Sequence, residues 1–407
     1  MVRLLLILLP LLSDTAATSV YLQGNYGAAT MAIEGTSNVG FSIHAESVYD
    51  FAVKKSPHRL FGEAYYSWNQ SQHNRFVENS DYELLYPYLT TDTVCGGLHK
   101  ESYYFRGGYT LLPKDNGLTL SVALSYLATQ AYRTVDPRPK NKVADLSVAA
   151  KIGYSYHQYA YSALVEVGRY KQNNDISFFS ELGESMIYHM TYPGKDYARF
   201  SGSNKSAYYH GGHTAVGLQV EPNHSGLIGA ATYQWLHISK ELNMATMLPI
   251  SNLQVHDVSI LLGYRQSAYQ VRLSADIRFK RGIQYIYGEA INNAYTLLSQ
   301  SQNYDEQVVH TTLYGSYRLP LPIGQMLFQG AIYGDIKSNY DYPVTACFAE
   351  LATDLTSSSL GGMTAIRYAF PVHKRIDFFL QPKAEYTHYF ASQHFRYQLN
   401  LAIGIFF

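Results

Sequence analysis

Residues 396–407 read Arg-Tyr-Gln-Leu-Asn-Leu-Ala-Ile-Gly-Ile-Phe-Phe, and the period of this stretch decides the fold. Tyr397, Leu399, Leu401, Ile403, Ile405 and Phe407 lie on one side of an extended chain, and Arg396, Gln398, Asn400, Ala402 and Gly404 lie on the other. Successive side chains of a strand point to opposite faces, whereas a helix would spread these polar positions round its circumference. The same period recurs upstream. Val39, Phe41, Ile43, Ala45, Tyr49, Phe51 and Val53 interleave with Ser42, His44, Glu46, Asp50 and Lys54. Between Tyr269 and Lys280, Val271, Leu273, Ala275, Ile277 and Phe279 alternate with Gln270, Arg272, Ser274, Asp276, Arg278 and Lys280. Further runs begin at Leu118, Leu146, Tyr159 and Leu360.

The connections supply a second regularity. Short ones, rich in Pro, Gly, Asn or Lys, fall near Lys55 to His58, Pro113 to Gly117, His157-Gln158, Glu221 to Gly226, Arg265 to Ser267, Leu319 to Gly324 and Pro371 to Arg375. Long ones are expected over residues 70–98, 131–142, 171–206, 239–252, 288–306 and 339–357. Short turns on one side and long loops on the other define a transmembrane antiparallel up-and-down β-barrel, all-β in class, whose short turns face the periplasm. About fifteen strands follow Val39, and a partner near Val20 to Tyr26 brings the total to about 16, with 14 or 18 as alternatives. The last strand also resembles the C-terminal assembly signal that the barrel assembly machinery reads, carried here by Tyr397, Leu399, Leu401, Ile403, Ile405 and Phe407.

Composition agrees. Only 15% of the 407 residues are charged while 47% are hydrophobic, fewer charges than a water-facing surface carries. The 31 basic and 31 acidic side chains cancel, which excludes a nucleic-acid-binding arm or a polybasic membrane patch as the main theme. The 39 Tyr suit positions apolar on one side and wet on the other, such as the aromatic girdles at the two membrane interfaces; Tyr154, Tyr156, Tyr285 and Tyr287 are candidates. Met1-Val2-Arg3, an apolar run from Leu4 to Leu12 and Thr15-Ala16-Ala17 read as a signal peptide over residues 1–17, leaving 18–407 as the barrel. Two Cys give no basis for a zinc or redox site; Cys95 and Cys347 both fall in expected loops, where pairing and two solitary thiols are both open.

Tyr86-Pro87-Tyr88-Leu89, Thr91-Asp92-Thr93-Val94 and Gly96-Gly97 in the first long loop, with Asp136-Pro137-Arg138-Pro139 in the second, resemble motifs of a known group. The chain is similar to uncharacterised outer-membrane β-barrel proteins of Bacteroidetes-type bacteria, whose defining domain has no assigned function. Cys95 stands where relatives tend to place Gly, and the segment before Thr36 is short for the group. The resemblance implies a fold and an outer-membrane location, and it implies no chemistry.

Three functions compete. A passive pore or transport-associated barrel would carry a small solute past the inward residues His44, Glu46, Asp50, Arg272, Asp276, Arg278, Lys280, Lys383 and Glu385, which set a field along the path. The plainer account is that such residues are polar because the lumen is wet, with charges paired across strands. Bulky inward positions, Phe61, Tyr65, Tyr104, Tyr170, Tyr333, Phe379 and Tyr389, point to a narrowed or filled lumen. A surface-exposed binding barrel would use Tyr82, Tyr86, Tyr88 and Asp92 in the loop 78–97 to stack on sugars or dock a surface lipoprotein, unless that loop folds back to close the mouth. An embedded hydrolase is disfavoured, because no Ser sits in an elbow motif or beside a His in a distinctive arrangement. His210 and His213 are three apart, which on a strand sends them to opposite faces. No enzyme activity, cofactor or metal is expected; the expected partners are outer-membrane lipids, the assembly machinery and a solute or lipoprotein.

Overall fold

The computed structural model describes residues 18–407 except 54–55, 77, 113–116, 181–183, 193–194, 203–205, 245, 293, 340–347 and 374–375. The expected signal segment and Cys347 lie outside the described residues; Cys95 is an exposed free thiol.

Alternation of apolar and polar positions becomes nineteen strands: β1 (Ser19–Ala29), β2 (Ser37–Val53), β3 (Ser56–Asn74), β4 (Thr90–Thr91), β5 (Gly96–Leu111), β6 (Leu118–Tyr132), β7 (Arg138–Tyr156), β8 (Tyr159–Ser177), β9 (Tyr188–Tyr192), β10 (Lys195–Asp196), β11 (Ala207–Pro222), β12 (Gly226–Asn243), β13 (Met247–Arg265), β14 (Tyr269–Ile291), β15 (Ala294–Pro320), β16 (Gln325–Asn339), β17 (Ser359–His373), β18 (Ile376–Tyr389) and β19 (Phe395–Phe406). Sixteen of them close one antiparallel barrel; β4, β9 and β10 form a separate small sheet. Closure comes from β1 lying along β19, Ser19 opposite Phe406 and Ala29 opposite Arg396. In hydrocarbon an unsatisfied peptide group costs several kcal/mol, so a sheet without edges is the form a strand protein takes there. Val20, Leu22, Phe41, Leu146, Val167, Leu262, Leu273, Leu399, Leu401 and Ile403 stand exposed on the outside, where solvent is lipid. The protein is therefore an outer-membrane barrel, and the C-terminal strand contributes its apolar row to the lipid face.

The strands end and restart at all seven expected short turns, although residues 54–55, 113–116 and 374–375 of three of them lie outside the described residues. Three expected long loops do not form as such. Residues 131–142, 239–252 and 288–306 are largely strand, because the pairing of β6–β7, β12–β13 and β14–β15 continues through most of them and leaves only residues 133–137, 244–246 and 292–293 between the strands. At 23 and 27 residues, β14 and β15 are more than twice the roughly 9–11 residues that cross a bilayer. The long connections are residues 75–95, 178–206 and 340–358, the first holding a short helix α1 (Tyr82–Leu85) and the third a helix α2 (Ala349–Thr356).

Candidate functional site

Described residues of all three connections turn inward. Phe76, Leu85, Tyr86, Tyr88 and Leu89 from the first, Met190 and Phe200 from the second, and Phe348, Leu351 and Leu355 from the third form one buried core with Met31 and Ile33 of the β1–β2 turn. The barrel wall completes it with Leu236, Ile238, Leu253 and Val255 of β12 and β13. Tyr86 and Tyr88 are 2% exposed and Asp92 0%, so of the two readings of this loop the burial agrees with the one in which it folds back across the mouth, as a plug. Tyr82 packs at its edge, its hydroxyl turned to Glu34. Tyr287 is likewise buried, against Phe200 and Tyr295, and Tyr285 packs on the same core; the loop 178–206 covers what the sequence placed in a lipid girdle. Tyr154 and Tyr156 do stand exposed at the turn end.

Polar wall residues pin the plug. Lys240 donates from Nζ to the Leu89 carbonyl (2.8 Å), Lys280 to the Glu83 carbonyl (2.6 Å), and the Tyr209 hydroxyl to the Tyr88 carbonyl (3.0 Å). Tyr88 in turn donates to Asn303 (2.6 Å), and Tyr170 to Asp81 (3.0 Å). β4 pairs with β9, Thr90 opposite His189, so the first and second connections share a sheet. At the outer rim the Arg133 guanidinium, 1% exposed, holds both Glu78 (2.6 Å) and Asp92, and bonds the Val94 carbonyl (3.1 Å). Burial and the adjacent Asp92 carboxylate push Glu78 well above the usual carboxylate range. Burial raises Asp92 as well, against the pull of Arg133. Asp136 accepts the backbone N–H of Phe179 and of Ser180 (both 2.6 Å), which fixes the start of the second connection.

Below the plug the lumen opens into a chamber of about 1190 Å³, running from Asp81, Tyr82 and Glu83 to residues beside the short turns such as Leu112, Ser155 and Tyr161. Nine carboxylates and six cations line it, so its field is mildly negative. Of the sequence candidates, His44, Glu46, Asp276 and Arg278 line it. Arg278 makes a two-pronged pair with Asp257 (2.7 and 2.9 Å). His44 belongs to a ladder in register round the wall, Tyr21, His44, Tyr65 and Tyr104, with ring centroids 4.4, 5.4 and 5.2 Å apart. The remaining candidates face inward but hold structure. Asp50 grips Arg59 (2.7 and 2.9 Å) near the turn end. Lys280, besides its bond to the plug, lies 3.5 Å from Glu306. Lys383 pairs with Glu385 (3.0 Å), which accepts the Tyr333 hydroxyl (2.9 Å), and Arg272 lies 5.9 Å from the Tyr314 ring centroid.

The two histidines separate as their spacing requires: His210 faces outward, 3.5 Å from Glu241, and His213 faces the chamber. His213 lies between Glu166 (3.3 Å) and Asp145 (3.9 Å), its ring laid across Gly168, where a Cβ would sit 2.2 Å from the imidazole. Only glycine leaves that space. Arg133 and Lys240 carry no signal in the sequence, since an isolated charge has no spacing pattern, and the spacing of His210 and His213 gives their faces without the carboxylates that hold His213. A signal for the plug was nevertheless present. Along Leu253, Gln254, Val255, His256, Asp257, Val258, Ser259 and Ile260 the alternation changes phase at His256-Asp257, with apolar side chains inward before it and outward after it.

The profile of the family of unknown function DUF6850 matches residues 6–346. No curated protein sequence matches the chain. Among solved structures it is similar to CdiB from Acinetobacter baumannii, at 9% identity and TM-score 0.45 over 95% of this chain and 60% of that one. It is also similar to a Pseudomonas aeruginosa FadL homologue, at 8% identity and TM-score 0.43 over 96% and 90%. The Ralstonia pickettii toluene transporter TbuX matches at 11% identity and TM-score 0.39 over 96% and 89%.

Proposed function

This chain belongs to that family of unknown function, and since membership assigns no activity we propose from the geometry that it is a gated transport barrel: a periplasm-facing chamber closed to the outside by its own folded connections. The chamber beneath the plug is the observation that carries the reading. A barrel of sixteen strands leaves room for an aqueous path unless something fills it, and here the folded connections fill the outer half, while at the turn end the inward Phe379 packs against Tyr21 and Phe406 of the wall. The excess of carboxylates favours small polar solutes that are neutral or cationic. Passage requires residues 78–94 to leave the lumen, breaking the bonds of Lys240, Lys280 and Tyr209 to their carbonyls. No catalytic step is part of this reading. The alternative of ligand capture by Tyr82, Tyr86, Tyr88 and Asp92 would need side chains that the plug buries. The terminal strand's apolar row is read as the contact for the assembly machinery.

The test is conductance in planar bilayers. Wild-type protein is expected to sit mainly closed, and a variant with 78–94 replaced by a short Gly-Ser linker to conduct steadily, both giving a heat-modifiable folded band on gels. Folded linker variant without conductance would overturn the transport reading; wild type as conductive as the variant would overturn the gate.

A further inference from the structure

We infer that the outward face of β7 and β8 binds a phosphorylated lipid headgroup of the outer leaflet, held by Lys142, Arg169 and Lys171 above a floor of small residues. Outward positions alternate along both strands. From Tyr154 up to Leu146 on β7, and from Tyr161 up to Val167 on β8, they are apolar or tyrosine. Toward the loop end the β7 row passes through Ala144 to Lys142 and Lys140, and the β8 row continues directly with Arg169 and Lys171, all four cations exposed. The cations therefore begin where the lipid band ends, at the depth of headgroup phosphates.

Register brings them together. Arg169 lies opposite Leu146 on one side and Gly212 on the other, while Lys171 lies between Ala144 and His210. Lys142 sits opposite Asn173, one diagonal step from Lys171, a separation of about 7–8 Å between backbones that long side chains close. Ala144 and Gly212 leave the backbone bare beside the cations, and a Cβ at Gly212 would come no nearer than 3.3 Å to any neighbour.

Acids do not cancel this cluster. Asp175 reaches Lys142 only at 4.0 Å, and Glu241 is turned to His210. Among the described residues none of Lys140, Arg169 and Lys171 has a carboxylate within ion-pair distance, whereas Lys142 and the outward Arg281 on β14 each have one at 4.0 Å, Asp175 and Asp305. Unpaired cations beside hydrocarbon need an anion. A phosphate monoester supplies two charges and acceptors that suit a guanidinium fork, with acyl chains lying down over Val167 and Val148. A soluble anion would gain nothing from that apolar apron.

The full-length barrel is purified in detergent, offered bis-phosphorylated lipid A, and the retained lipid counted by native mass spectrometry. One tightly held lipid per barrel is expected, with retention about tenfold weaker in Arg169→Gln/Lys171→Gln and unchanged in Arg281→Gln. Equal retention by the double variant, equal retention of fully dephosphorylated lipid A, or release of the lipid by excess inorganic phosphate would each overturn the inference. Folding is checked by heat modifiability, and Lys142→Gln/Lys171→Gln, which leaves Arg169 in place, serves should the first pair fail to assemble.

Discussion

At the level of Leu236 and Val255 the barrel interior is filled like the inside of a soluble protein; one pair lower, at Gln234 and Asp257, it is the wall of a chamber. The two regions share strands and curvature. What differs is the partner of the inward side chains. Above, connections 75–95, 178–206 and 340–358 return into the lumen, so apolar inward residues gain contacts and polar ones survive only by capping plug carbonyls, as Lys240 and Lys280 do. Below, the inward side is wet, and charges such as Arg278 and Asp257 pair across neighbouring strands.

The largest break in this contrast should come from Arg133→Met. It leaves the two carboxyls of Glu78 and Asp92 buried without their cation, a change that typically costs about 3–5 kcal/mol. Hydrogen exchange is expected to show residues 78–94 losing protection while the chamber strands keep theirs; unchanged protection would mean that the cluster does not hold the plug. Tyr209→Phe removes the donor to the Tyr88 carbonyl and should cost about 1–3 kcal/mol, read as faster proteolytic nicking of the first connection. A third perturbation is pH. Burial raises the Asp354 carboxyl of α2 to about 7 from an ordinary 3.8, with Glu350 and Glu34 adding to the rise and the N–H of Ala32 opposing it. His394 lies 3.2 Å away. Because the folded group holds its proton more tightly than the unfolded one, its contribution to docking α2 is complete below about pH 4 and is lost as pH rises through 7. The protection factors of the α2 amides, which discount the intrinsic rise of exchange with pH, should therefore fall between pH 5 and 8 in wild type and change far less in Asp354→Asn. The smallest effect on stability belongs to the chamber: Asp276→Asn should stay within about 0.5 kcal/mol yet lower cation preference in the plug-less variant, measured as a reversal potential.

Much of the lower region was legible beforehand. Its strands obey one rule, apolar outward and polar inward, so a count of about sixteen strands and the inward side of His44, Glu46, Asp276 and Arg278 follow from period, while the short turns follow from their Pro, Gly, Asn and Lys. The upper region resists the same rule because its interior is a second protein-like solvent whose residues come from distant segments. Thus 239–252 and 288–306 looked like loops when they are strands in an inverted phase or projecting above the membrane. The family motifs behave similarly. Tyr86, Tyr88 and Asp92 resemble a recognition surface in sequence, and only the partners Arg133, Tyr209 and Asn303, each far off in the chain, reveal them as an internal seal.

The phase change at His256-Asp257 also removes a degree of freedom. A barrel uniform along its axis can ride higher or lower in the bilayer at little cost. Here, sinking by one dipeptide, about 6–7 Å, would carry the outward His256 into hydrocarbon, with Gln254 next behind it, and rising by the same step would lift Val258 out of it, with Ile260 next. The molecule is consequently moored at one depth, and the seal stays level with the outer interface however the surrounding lipids fluctuate.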